Sequence, residues 1–153
     1  MDKIKDKVIL VTGASSGIGS EVAQMLCSVG GRVYGTSRKN VQQKGCKSEG
    51  EGFIHMVQLD VCSNQSVEDA IRYIMDREGR IDVLINNAGI GIAGSVEDIS
   101  SEEAVAQFET NFFGVHRMLK NIIPVMRNQK SGTIINIGSV AGFIAIPFQS
   151  MYS

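Results

Sequence analysis

The chain has 153 residues, 43% of them hydrophobic, enough for one domain with a substantial core and consistent with a single globular unit or part of one. Fifteen Lys and Arg against sixteen Asp and Glu leave a formal charge of -1, and without a basic block neither nucleic acid nor an anionic membrane surface is an expected partner. Met1 to Lys7 alternates charge unlike a signal peptide, no run approaches a membrane span, and Cys27, Cys46 and Cys62 lack CxxC spacing or flanking histidines, so the expectation is a cytoplasmic protein with no disulfide framework and no metal site.

In chain order, Val8-Ile9-Leu10-Val11 is a continuous branched run, the pattern of a strand buried on both faces. From Ile18 the apolar residues Val22, Met25, Leu26 and Val29 recur at helical spacing, and Gly30-Gly31 closes that helix. Arg32–Thr36 reads as a second strand, and Val41 to Gly52, with no apolar period, as a surface connection or frayed helix. Phe53–Leu59 is a third strand, and Ser66-x-x-Asp69 predicts the cap of a helix carrying Val67, Ala70, Ile71, Ile74 and Met75, ended by Gly79. Ile81–Ile85 is a fourth strand, running into the turn Asn86-Asn87-Ala88-Gly89. Ser100-x-x-Glu103 matches a capping box at the head of a long helix, which Gly114 and Pro124 should bend or fray, and Thr133–Ile137 is a fifth strand. Alternating strands and helices imply an α/β fold: a doubly wound parallel sheet with helices on both faces.

The first strand runs directly into Thr12-Gly13-Ala14-Ser15-Ser16-Gly17-Ile18-Gly19-Ser20 and then into a helix. Such a turn sets unpaired backbone N–H groups and the positive end of a helix dipole at the carboxyl edge of the sheet, where a pyrophosphate can dock. Gly13 and Gly17 leave room for close approach and Gly19 lets the helix lie against the sheet. The G-x-x-x-G-x-G spacing alone would serve any tight turn; its place between strand and helix gives it meaning. A nucleotide triphosphatase loop is excluded, because no Gly-Lys-Ser/Thr follows the last glycine.

With these features the sequence resembles the short-chain dehydrogenase/reductase family along its whole length. Thr12-Gly13-x-x-x-Gly17-x-Gly19, Asp60-Val61 after the third strand, Asn86-Asn87-Ala88-Gly89 after the fourth, Asn111 in the long helix and Ser139 after the fifth carry the resemblance, in register. The segment from Ser139 to Tyr152, with Gly142 and Pro147-Phe148, looks like the branch containing 17β-hydroxysteroid and retinol dehydrogenases. The resemblance implies an incomplete Rossmann fold over residues 1–153, the cofactor-binding part of a single-domain enzyme whose last strands and substrate-binding segment would follow. It also implies an oxidoreductase interconverting a secondary alcohol and a ketone.

The resemblance further assigns the cofactor to Gly13, Ser15, Ser16, Gly17, Ile18 and Gly19 at the diphosphate, Asp60 and Val61 at the adenine, and Asn87, Ala88 and Gly89 at the adenosine ribose. At the end of the second strand Ser37 stands where the family's NAD users carry aspartate, and Arg38 beside it offers a fork for a 2′-phosphate, so NADP(H) is the expected cofactor. Tyr152 matches the catalytic acid/base by its interval from Ser139, which would hold the substrate oxygen, while Asn111 would fix a water of the proton relay. Because a phenol is a weak acid, the family places a lysine four residues after the tyrosine; the sequence ends three residues short of that place, so residues 1–153 alone are expected to be inactive. The alternative is a dinucleotide-binding fragment without catalysis. The short apolar stretches Ile90–Ser95 and Phe143–Phe148 suggest an apolar small-molecule carbonyl or alcohol as substrate, and the family's habit implies a homo-oligomer paired through the long helix, residues 101–127.

Overall fold

A computed structural model describes residues 3–39, 45–46 and 52–152. Five parallel strands, β1 (Val8–Val11), β2 (Arg32–Ser37), β3 (Phe53–Gln58), β4 (Val83–Asn86) and β5 (Thr133–Asn136), form one sheet in the order β3-β2-β1-β4-β5. The crossovers carry α1 (Gly17–Ser28), α2 (Asn64–Glu78) and a long helical stretch made of α3 (Ser101–Phe108), a π-helical turn (Glu109–Phe113) and α4 (Gly114–Gln129). The parallel doubly wound sheet is therefore the fold that the alternation implied.

Period-two alternation along β1 sorts the core into two layers. Val8 and Leu10 face α2 and α4, where they pack with Ile71, Ile74, Met118 and Ile122. Ile9 and Val11 face α1, with Ala23, Cys27, Val33 and Met56. All four residues of β1 are buried, as a central parallel strand requires. Strand order reverses between β1 and β4, so the carboxyl ends of these two strands flank the crevice where open α/β sheets take ligands.

Several local expectations are corrected. Ser63, not Ser66, caps α2: its side chain accepts the Ser66 N–H, while the Ser66 hydroxyl accepts the Asp60 N–H, so the second serine holds the preceding loop. The capping box at Ser100 and Glu103 and the left-handed cap at Gly79 are present. The long helix is interrupted before Gly114 by the π turn, and Pro124 lies inside α4 without ending it. Cys27 and Cys46 are joined as a disulfide with Cα atoms 6.1 Å apart, leaving Cys62 as a free thiol. Gly45 and Cys46 lie alongside α1, the Gly45 carbonyl accepting the Gln24 side-chain amide, a proximity that spacing in the sequence does not reveal. The connection expected over Val41–Gly52 lies outside the described residues, apart from Gly45, Cys46 and Gly52.

Candidate active site

Two turns at the carboxyl edge are welded together by one buried hydroxyl. Thr12 Oγ1 accepts the N–H groups of Asn87 at 2.9 Å and Ala88 at 3.0 Å, and the Asn87 side-chain amide donates to the carbonyls of Thr12 at 3.0 Å and Gly13 at 3.2 Å. A Cβ on Gly13 would stand 2.9 Å from Ala88 Cα, and one on Gly19 would run into the Asn87 side chain and the Gly13 carbonyl. Both glycines therefore serve the close approach of β1 and β4. Gly17 differs: at φ +55° a Cβ would meet nothing within 4 Å, so this glycine lies against open space. Ser16 begins α1 without a side-chain cap, and no acidic residue occupies the first turn, leaving the positive end of the helix to an outside anion.

That open space is a cleft of about 640 Å³, bordered by Gly13 and Ser15 to Ile18 on one side, Ser37 to Lys39 on another, and Asn87 to Gly89 on the third. Val61 and Leu59 also border it, together with Thr36 and Thr110, which the motif reading did not single out. Asp60 is not among the bordering residues; its carboxylate accepts the Cys62 N–H at 2.9 Å and so shapes the loop that presents Val61. Ser37 Oγ accepts the Lys39 N–H, and the Arg38 carbonyl accepts an N–H from Gln58, fixing the backbone while Arg38 and Lys39 remain exposed.

A second cavity, about 420 Å³, adjoins the first across Asn87–Ile90 and brings Asn111, Ser139 and Tyr152 to one space. Asn111 grips the chain after β4 in two directions: its Oδ1 accepts the Ile90 N–H at 2.9 Å and its Nδ2 donates to the Ile90 carbonyl at 2.8 Å. Ser139 caps the short turn Val140–Gly142, its Oγ accepting the Ala141 N–H at 3.2 Å. The Tyr152 ring faces Gly91, where a Cβ would come within 4.0 Å of it.

A short chain dehydrogenase profile matches residues 7–153. The chain belongs to the short-chain dehydrogenase/reductase family. It is 47% identical over 98% of its length to a 3-ketodihydrosphingosine reductase of Bacteroides thetaiotaomicron, covering 53% of that protein. It is 34% identical over 96% of its length to retinol dehydrogenase 8 of Bos taurus, covering 49%. Among solved structures, the NADH-dependent reductase A1-R′ superposes with a TM-score of 0.91 at 26% identity over 99% of this chain and 66% of that one. The chain thus spans about half the length of the curated relatives it matches. The dehydrogenase fold implies a nicotinamide dinucleotide cofactor, and the cleft beside Gly17 fits one: it pairs an uncapped helix start with a glycine facing open space.

Sequence reasoning missed Gln107 in this short-chain dehydrogenase site. It lies one turn before Asn111, is buried, and accepts the Ile92 N–H at 2.6 Å, so two amides on successive turns hold the chain after β4. An i, i+4 pair of amide side chains was the available signal. The strongly shifted titratable groups lie elsewhere, near the start of β2. Burial and a 2.6 Å hydrogen bond to Glu78 push the Tyr34 hydroxyl up to about 12. Burial alone would raise the Glu78 carboxyl, but hydrogen bonds from Arg32 and Tyr34 outweigh it and hold the group below its ordinary value.

Proposed function

We propose that residues 1–153 are the cofactor-binding part of an NADP(H)-dependent oxidoreductase that interconverts a secondary alcohol and a ketone. The observation that carries this reading is the meeting of Asn111, Ser139 and Tyr152 around one cavity that adjoins the glycine-lined cleft. When bound, the nicotinamide supplies hydride to the carbonyl carbon. Tyr152 gives its hydroxyl proton to the carbonyl oxygen, Ser139 donates a hydrogen bond to the same oxygen, and Asn111 orders the backbone at Ile90 beside them. Amides from Gly13 to Gly19, with Ser15, Ser16 and Ile18, hold the diphosphate; Val61 meets the adenine; Asn87, Ala88 and Gly89 border the adenosine ribose. The Asn87 side chain is already engaged by Thr12 and Gly13, so its part is to shape the wall.

The choice of NADP(H) rests on Ser37 in place of a carboxylate and on exposed Arg38 and Lys39 at the cleft. Likeness to a 3-ketodihydrosphingosine reductase supports an apolar, long-chain ketone as substrate. Exposed Val105, Phe108 and Phe112 along α3 and the π turn support pairing of two copies through this helical stretch. No helix among the described residues is long and apolar enough to cross a membrane, and a cytoplasmic location remains part of the proposal.

The test is NADPH consumption over a panel of long-chain ketones by the protein expressed from its complete reading frame, beside Tyr152→Phe. Turnover should fall by roughly 10²- to 10⁴-fold in the variant with NADPH binding unchanged. NADPH binding without turnover of any ketone would instead establish a dinucleotide-binding protein without catalysis.

A further inference from the structure

The π-helical turn from Glu109 to Phe113 sets Asn111 against Ile90, and the residue that braces this turn lies outside the motif. Glu109 and Arg117 form an ion pair across the turn, Arg117 Nη2 against Glu109 Oε1. In an uninterrupted α-helix two residues eight apart point about 80° away from each other. The extra residue of one π turn reduces their effective spacing to seven and brings them within about 20° of one line, two turns apart. The widened turn is closed by the Gly114 N–H bonding to the Glu109 carbonyl, so the acidic partner sits at its first residue. Both side chains are mostly shielded, with 19% of Arg117 and 34% of Glu109 exposed.

Arg117 also reaches sideways. Its Nη1 donates to the Val61 carbonyl at 3.3 Å. A Cβ at Gly114 would stand 2.8 Å from Val61 Cγ2, and Thr110 Oγ1 lies 3.4 Å from Cys62 Sγ. One guanidinium therefore ties the first residue of the π turn to the loop that presents Val61 to the cleft.

We propose that Arg117, through Glu109 and the Val61 carbonyl, is the positioning residue that selects the π turn over a continuous α-helix and so aims Asn111 at Ile90. Its kinetic part rests on the function proposed above; its structural part does not. The pair is formed only when the helix carries the extra residue, so breaking it removes an interaction that a straight helix cannot replace. Relaxation toward regular helix would rotate Asn111 away from Ile90 and release both hydrogen bonds there.

The test uses protein expressed from its complete reading frame, with Arg117→Met, the milder Arg117→Gln, and the exchange E109R/R117E. Amide hydrogen exchange at Ile90, whose acceptor is Asn111 Oδ1, should accelerate by about tenfold or more in the Met variant while amides of β1 keep their protection. The charge exchange should recover part of it, since it restores the ion pair but leaves a carboxylate, which cannot donate, beside the Val61 carbonyl. kcat should fall by roughly tenfold to hundredfold with little change in KM for the ketone, and Arg117→Met should add nothing in an Asn111→Ala background, because both act through one group. Unchanged Ile90 exchange in a folded Met or Gln variant would overturn the assignment, as would kcat losses that simply multiply in the double variant. Failure of both variants to fold, with the exchange variant also unfolded, would show a general packing role and overturn it too. If no variant or parent turns over any ketone, the proposed function fails while Ile90 exchange still decides the brace.

Discussion

Gly17→Ala and Gly13→Ala should separate cofactor binding from folding. Both glycines have positive φ, +55° at Gly17 and +69° at Gly13, so alanine at either costs about 1–2 kcal/mol of backbone strain, part of it offset by the stiffer unfolded chain. There the likeness ends. At Gly17 the new methyl stands in open space, and the net loss of stability should be about 1 kcal/mol. At Gly13 it stands 2.9 Å from Ala88 Cα and 3.2 Å from Ala88 N, backbone atoms pinned by Thr12, and relieving that contact adds about 1–3 kcal/mol. Urea unfolding followed by circular dichroism should therefore rank Gly13→Ala as clearly the less stable. Fluorescence titration with NADPH should show Gly17→Ala binding at least about tenfold more weakly although it is nearly as stable as the parent. Equal destabilisation by the two, or full NADPH affinity in Gly17→Ala, would refute the assignment of Gly17 to the cleft and Gly13 to the joint.

Three further outcomes are expected. Ser37→Asp with Arg38→Ala should move dinucleotide preference toward NADH, read as the ratio of the two dissociation constants; an unchanged ratio would remove the basis for NADP(H). Because the Tyr34 hydroxyl is raised from 10.0 to about 12 in the fold, its contribution is complete below pH 10 and is lost as pH rises through 12. Stability measured across that window should decline in the parent and stay flatter in Tyr34→Phe. Closing the loop between Cys27 and Cys46, 19 residues apart in sequence, is worth about 3 kcal/mol by chain entropy, so Cys46→Ser should lower thermal stability under oxidising conditions and leave it unchanged under reductant.

The parts of the fold that could be read from the sequence are those where one residue pattern has one physical use. Val8–Val11 has no polar face, so it had to be central, and a glycine-rich turn between it and a helix had to sit at the carboxyl edge. The family resemblance, not the residue pattern alone, singled out Ser139 and Tyr152, and both line one cavity with Asn111. What escaped the reading depends on contacts between distant segments. Ser63 and Ser66 both suit a helix start, and only the Asp60 N–H decides which of them caps. A π turn adds one residue and has no residue pattern of its own, so Glu109–Phe113 read as ordinary helix, whereas the extra residue leaves Phe108 and Phe112 exposed while Met118 and Ile122 are buried. The resemblance assigns Asn87 to the adenosine ribose, and only the fold shows its side-chain amide bonded to the Thr12 and Gly13 carbonyls. Asp60 bears on the cleft through the Cys62 amide, a contact that pattern matching does not distinguish from direct lining.

The most direct measurement is a two-dimensional amide NMR titration of isotopically labelled protein with NADPH. Resonances of Gly13, Ser15, Gly17, Ile18 and Gly19 should shift in a saturable manner, together with Ser37 and Arg38. If those signals stay in place while the protein is folded, no diphosphate rests on this turn and the nucleotide-dependent reading is wrong.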